Sequence, residues 1–392
     1  MKSRVAQTGV SLIELLIALL IGSLMMLALV QVFSASRTAY QMSEGMSRVQ
    51  ENARFAMEFL QRDIRLAGHF GCVNDQAHWV KEEGDPVIHF GAVGLLHPLN
   101  FAVSVQGYEA TGTAPGNTST IGSPSPGWTP GLPAEIAGLN PLPGSDILVL
   151  RYLSGRGTPV TSIVSGPGAE TLSFSPVNEG WIALTDDGVT APTMFGIADC
   201  SHADVFPGVG AAGGTVTVAP SAAPTTDLVG RYTPHPSGQT VLYRANSVVY
   251  YVGRTPAPRN EPALFRARAL PGGGYDTPEE LVEGIESIQL LFGQDSVTNL
   301  SAQTPPVGNI TSQNTAAGIV GGAGADPANA WRRVGLVQVG ILARSPTRAA
   351  AGQPANPHRL VGTLLQPPAD NDGRYRATYE STVALRNRLF GN

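Results

Sequence analysis

The sequence predicts an α+β protein in which one long N-terminal α-helix packs on a loop-rich antiparallel β domain. Three observations carry that expectation. No proline interrupts residues 10–67, and apolar residues recur through the second half of that stretch at helical spacing. The 46 glycines and 31 prolines make up about a fifth of the 392 residues, against a usual ~12%, which calls for many turns. Beyond residue 69, short apolar and β-branched runs alternate with turn residues, the pattern of strands joined by loops.

The helix comes first. Met1–Gly9 carries Lys2 and Arg4 and no acid. From Val10 to about Phe33 the chain is apolar, and Glu14 is the one charged side chain between Val10 and Ser36. A run of about 20–24 residues is long enough to cross ~30 Å of hydrocarbon. Positive charge ahead of the span predicts a cytoplasmic N-terminus and a body on the far side. A secretory signal peptide competes with this reading, with Ser34-Ala35-Ser36 as its cut. Its apolar region is typically 7–15 residues, however, and here the helical period continues past the cut. Met42, Met46, Val49, Ala53, Ala56, Leu60, Ile64 and Ala67 form an apolar stripe. The polar face sets Glu44/Arg48, Glu51/Arg54 and Glu58/Arg62 three or four residues apart with the acid first, the favoured order. Gly68 is the stop. The expectation is one helix of about 58 residues, near 87 Å at 1.5 Å per residue.

In the body, residues 108–145, 206–238 and 301–330 read as loops or insertions rich in Gly, Pro, Ser, Thr and Ala. Strands are expected at Asp146–Leu153, Thr171–Phe174, Trp181–Leu184, Gly214–Val218, Thr240–Arg244 and Ser247–Val252. Four more follow at Leu264–Arg268, Ile285–Phe292, Val334–Ala343 and Thr378–Leu385. They predict two packed sheets or one strongly curved sheet. Thr277-Pro278-Glu279-Glu280 is a capping-box pattern with proline in the first turn, and predicts a short helix running through Leu281–Gly284.

Charged residues make up only 14%, the net charge is −5, and no basic stripe stands out, which argues against a nucleic-acid partner. Cys72 and Cys200 are the only cysteines and form no CxxC, so a zinc ribbon and a redox motif are excluded. They either stay as buried thiols or pair, and a Cys72–Cys200 bond would staple the helix end to the β body. Gly208–Gly213 fits GxGxxG but lacks a preceding strand and a following helix, so it reads as a flexible loop. Asp370-Asn371-Asp372-Gly373 begins like a calcium loop but has Ser381 where the closing Glu belongs, so a tight turn is the better reading. The seven histidines (69, 78, 89, 97, 202, 235, 358) show no metal-ligand spacing. No catalytic residue, metal ligand or cofactor site is expected.

Gly9-Val10-Ser11-Leu12-Ile13-Glu14, directly after a basic leader and opening the apolar run, resembles the prepilin signal of type IV pilins and type II secretion pseudopilins. Three later segments, 281–296, 331–345 and 376–389, resemble parts of the PilW family of minor pilins; pseudopilin J of type II secretion has a related layout. In that family a short helix and strand precede a Gly-x-Asp turn, a Trp opens a long strand, and a strand ending in Arg-Asn closes the domain. The resemblance covers the ends of the chain well and residues 75–235 poorly. It implies a type IV pilin-like fold, cleavage by prepilin peptidase between Gly9 and Val10, and N-methylation of Val10, where the usual first residue is Phe. It also implies that Glu14, the fifth mature residue, sets axial register against a neighbour's Val10 amine. The implied domains are a leader (1–9), a transmembrane or pilus-core helix half (10–33), an amphipathic half (34–68) and a periplasmic β-rich body (69–392). The implied partners are major and minor pilins, prepilin peptidase, the inner-membrane assembly platform and a large tip adhesin. The implied place is the inner membrane, then the pilus near its tip. The competing readings are a type II secretion pseudopilin and a membrane-anchored periplasmic enzyme.

Overall fold

Leu12–Leu66 form one uninterrupted α-helix of 55 residues (α1) in the computed structural model. That model describes residues 9–72, 86–91, 93–218, 227–300, 304, 306–321, 326–349, 356–368 and 372–387. Leader residues 1–8, His78 and Asp370-Asn371 therefore lie outside the described residues. Ser11 caps the helix at its start. At its end the Ala67 N–H bonds back to Asp63 and Ile64, and Gly68 takes a φ of 75° that favours glycine. The stripe predicted from periodicity is the buried face: Val49, Ala53, Ala56, Leu60 and Ile64 are fully buried. Lower down, Gly45 is buried against Ala349, where a larger residue would not fit.

Two long strands, Ile147–Gly166 and Val241–Arg254, run antiparallel side by side through the body. Their first shared stretch carries α1. There Val105–Ala110, Pro262–Arg268 and Glu279–Glu283 extend the large sheet. Leu148, Leu150, Tyr152, Val248, Tyr250 and Val252 face the helix in one core with Val49, Leu60 and Ile64. A four-stranded antiparallel sheet joins that core, ordered Ile310–Asn314, Ile285–Asp295, Val334–Arg344, Arg376–Ala384. A small three-stranded sheet packs on its outer face through Leu342, Leu360, Val361 and Leu365. Among the described residues two pairings are parallel: Thr363–Gln366 with Thr118–Thr120, and Val87–Ile88 with Asp204–Val205.

Past the end of α1, the same two long strands continue into a closed ring. In order around it lie Val241–Arg254, Met194–Ala198, Ala203–Ala211, Thr215–Val218, Ala169–Phe174 and Ile147–Gly166, each pairing antiparallel with the next. Closure leaves no free edge. The barrel has its own core, including Val160, Leu172, Phe195, Phe206, Val216 and Leu242.

Several expectations need correction. Trp181–Leu184 is not a strand; Val177–Leu184 is a helix that begins after Pro176 and packs Ala183 and Leu184 inward. Glu279–Glu283 is a strand, not a capped helix. Its carboxylates reach Arg266, Arg268 and Arg259 across the sheet edge, so pairing and charge outweigh the local capping pattern. Gly208–Ala211 belong to a barrel strand rather than a flexible loop. A Cβ on Gly210 would meet the Trp181 ring at 2.9 Å and Phe195 at 3.0 Å, so the glycine is there for ring packing. The two strands expected at 240–244 and 247–252 are one strand, Val241–Arg254, with an irregularity between Tyr243 and Ala245. The stretches taken as loops contain strands at Thr118–Thr120, Trp128–Thr129 and Ile310–Asn314 and helices at Ala134–Ala137, Leu228–Arg231, Ala316–Gly321 and Pro327–Arg332. Trp331 sits in the last of these, one turn before its strand, and Gly293–Asp295 end a strand rather than forming a turn. Arg62 pairs with Asp63 and Asp187 rather than with Glu58.

Candidate functional site

The exposed end of α1 is built from its first residues. Gly9 and Val10 precede the helix, and Val10 is 74% exposed. A Cβ on Gly9 would meet nothing within 4 Å, so space in the folded chain does not require that glycine. Ser11 and Glu14 form a reciprocal capping box. The Glu14 N–H donates to Ser11 Oγ at 3.3 Å, and the Ser11 N–H donates to Glu14 Oε2 at 3.0 Å. The Ser11 hydroxyl donates to the same oxygen at 3.1 Å. Glu14 thus closes the helix start within its own chain.

From Leu12 through Phe33 the apolar side chains project into open space, with Leu12, Leu20 and Val32 each 60% exposed or more. An 18-residue window here has a mean hydropathy of 2.6 and none of it is buried. The run is long and apolar enough to cross a membrane. Its one interior hydroxyl, Ser23, donates to the Leu20 carbonyl at 2.8 Å and presents no unmet donor.

The other half of α1 is locked to the body. Asp63 is fully buried on the packed face. Its carboxylate accepts from the Tyr250 hydroxyl at 2.6 Å and from Arg62 at 3.0 Å, with Arg266 at 3.4 Å. Arg266 reaches on to Asp187 at 3.0 Å and Glu279 at 2.9 Å. Burial would raise the Asp187 carboxyl, but Arg266, Arg62 and Arg268 outweigh it and hold it below its ordinary value. Burial, then the Asp63 charge, pushes the Tyr250 phenol well above its ordinary range, so it stays a donor. Asn52 donates to the Glu283 carbonyl at 2.9 Å, and Asn387 donates to the Arg65 carbonyl at the helix end at 3.1 Å. Six residues past α1, Cys72 is disulfide-bonded to Cys200, with Cα atoms 4.7 Å apart. Cys200 lies in the turn between two barrel strands, so the bond ties the helix end to the barrel.

Gly9, Val10 and Glu14, singled out in the sequence, lie together at the exposed start of α1, and the two cysteines are joined as the sequence allowed. Sequence reasoning missed Asp63, whose partners Tyr250 and Arg266 are 187 and 203 residues away. The available signal was an acid at helical spacing inside an apolar stripe.

Residues 4–30 match the family described as prokaryotic N-terminal methylation motif. Residues 249–387 match the family described as Type IV Pilus-assembly protein W. The second match begins within the strand Val241–Arg254, just beyond the barrel, and takes in the four-stranded sheet. No curated protein and no solved structure matches the chain. Pilin-family domains are structural rather than catalytic. A helix with a methylation-motif start is thus laid by its second half on a body whose C-terminal part is similar to PilW, and the two matches together support the role of a type IV pilus minor pilin anchored through its apolar helix.

Proposed function

We propose that the protein primes type IV pilus assembly as part of a tip-proximal minor-pilin complex. The observation that carries this reading is the contrast within α1: one half fixed to the body by Asp63, the other wholly exposed and apolar. An exposed stripe of that size is stable only in lipid or against like helices. Prepilin peptidase would hydrolyse the Gly9–Val10 bond on the cytoplasmic side and methylate the new Val10 amine. Residues 10–33 would then serve first as the membrane span and later as part of the pilus core, with 34–68 as the amphipathic half and 69–392 as the periplasmic body. The work is oligomerisation rather than catalysis. Partners would be major and minor pilins, the inner-membrane assembly platform and a large tip adhesin.

Glu14 would exchange partners on assembly. Before it, the carboxylate is held by Ser11 of its own chain. In the polymer it would meet the Val10 amine of a neighbour, a pairing strengthened by the low dielectric of a helix core. Glu14→Ala is expected to keep cleavage but to enter sheared pili at a small fraction of the normal amount, read by immunoblot. Normal incorporation contradicts the register role. Replacing Gly9 by a bulky residue is expected to leave a leader-sized band, since nothing in the folded chain resists the change.

A further inference from the structure

On one edge of Val241–Arg254 the barrel strand gives way to the outer strand, and a cavity sits at that fork. Val241–Arg254 pairs with the barrel strand up to Arg244 opposite Phe195, and with the outer strand only from Val248 opposite Arg268. Ala245–Ser247 fall between those two ladders. A cavity of about 240 Å³ opens at this fork, closed on its other side by the loop 188–193. It is smaller than the roughly 300–1,000 Å³ of sites for drug-sized ligands, and suits a single ring.

Its polar groups are fixed and only partly used. The Arg244 side chain is 6% exposed. Its Nη1 donates to the Leu184 and Asp186 carbonyls and its Nε to Asn246 Oδ1 at 3.0 Å, while its Nη2 has no hydrogen-bond partner among the described residues. Because arginine only donates, the atom of Asn246 facing it must be the oxygen, and Asn246 Nδ2 is left buried without a partner. At the opposite wall Asp276 accepts the Arg268 N–H through Oδ1 at 2.8 Å and keeps Oδ2 unengaged. Thr190 and Thr193 bring hydroxyls from the loop, and Met194 and Leu270 add apolar surface.

Charge selects among ligands. Arg244 is met by Asp186 at 2.6 Å, and Arg268 by Asp187 at 3.0 Å and Glu279 at 3.4 Å. Asp276 adds a further acid. The cavity therefore offers no excess positive charge for an anion. It offers planar donors and an acceptor in one small lining, which matches neighbouring hydroxyls that accept from one group and donate to another. We propose that the fork between barrel and pilin sheet binds one neutral sugar residue, with Arg244 and Asp276 on adjacent hydroxyls and Met194 and Leu270 against the ring.

The test is ligand-observed saturation-transfer NMR on the full-length chain in detergent, with a set of neutral hexoses and N-acetylhexosamines, glucuronate as the charged control, and a glycan array to separate a free sugar from a glycan terminus. At least one neutral sugar is expected to saturate below about 10 mM and glucuronate is not. Asp276→Asn, which keeps an acceptor for the Arg268 N–H, and Thr193→Val are each expected to weaken binding about fivefold without moving the thermal midpoint. Should Asp276→Asn lower the midpoint, Thr193→Val decides alone. Failure of every neutral sugar to saturate, equal binding of glucuronate, or unchanged affinity in Thr193→Val overturns the proposal.

Discussion

Asp63 shows how much one side chain can decide. It stands in the packed stripe of α1, between Leu60 and Ile64, where burial of an unpaired carboxylate would be prohibitive. Tyr250 and Arg266 make it tolerable, and in doing so they fix both the rotation of α1 and its height on the sheet. Asp63→Ala strips Arg266 of one partner in a site where that arginine is 2% exposed. It is expected to cost about 3–5 kcal/mol, whereas Tyr250→Phe, which removes one donor to the charge, is expected to cost about 1.5–3 kcal/mol. Chemical denaturation of the detergent-solubilised chain measures both, and equal, negligible costs would remove Asp63 from its place as the lock. Glu14 was legible in the sequence because a lone acid in an apolar run is conspicuous. Asp63 was not, because its compensation comes from strands far along the chain. The capping box of Glu14 with Ser11 was written in adjacent residues but hidden behind the reading of Glu14 as an intermolecular group.

At the scale of elements, the period of α1 was readable to within two residues at its start, since a 55-residue helix repeats its signal many times. Short elements were not. Thr277–Glu280 has a helix start by local chemistry, yet the strand ladder with Pro262–Arg268 and the three arginines around it win. Trp181–Leu184 has strand-like residues, yet Pro176 and the close contact of Gly180 with the Phe174 ring favour a helix. Two links between elements can be tested. The Cys72–Cys200 bond spans 128 residues and joins the helix end to the barrel. Its loss in a Cys72→Ser/Cys200→Ser double variant is expected to cost about 2–5 kcal/mol, read as a lower thermal midpoint under oxidising conditions, while reducing agent leaves the variant unaffected. The second link is acidic. Asp146 takes the N–H groups of Ala110 and Leu290 at 2.8 Å each, so it joins the large sheet to the four-stranded one. Glu109 beside it is raised by burial first and then by the Asp146 charge, and Asp146 is raised by burial. Groups with raised folded pKa bind protons that the unfolded chain has released. Their contribution is therefore present at lower pH and is lost as pH rises through the folded values. Stability is expected to fall as pH rises from the ordinary carboxylate range, about 4, up to about 9, and Glu109→Gln, which keeps a donor without the charge, is expected to flatten that fall. A thermal midpoint series against pH for both forms checks it.

At the scale of the molecule, two bodies share two strands. The part that cradles α1 contains the PilW match and was the part the sequence resembled. The barrel is drawn from residues 147–254, with most of its wall outside the matched region. Its strands were recognised singly, at Thr171–Phe174 and Gly214–Val218, but their closure was not. Closure depends on Val241–Tyr243 pairing on both sides at once, with 157–159 and with 196–198, and no local pattern encodes that. Gly208 and Gly210, which looked like loop residues, lie against the rings of Phe195 and Trp181. The two bodies keep separate cores: α1 shares one with the sheets of the matched region, and the barrel carries its own past the end of the helix.

The central claim is that α1 begins as a processed pilin N-terminus. Intact-mass and N-terminal peptide spectrometry of the protein extracted from membranes tests it most directly. The account predicts a mature chain beginning at Val10 with one methyl group on its amine, lost when prepilin peptidase is absent. A chain still beginning at Met1, or one cut after Ser36, would contradict it.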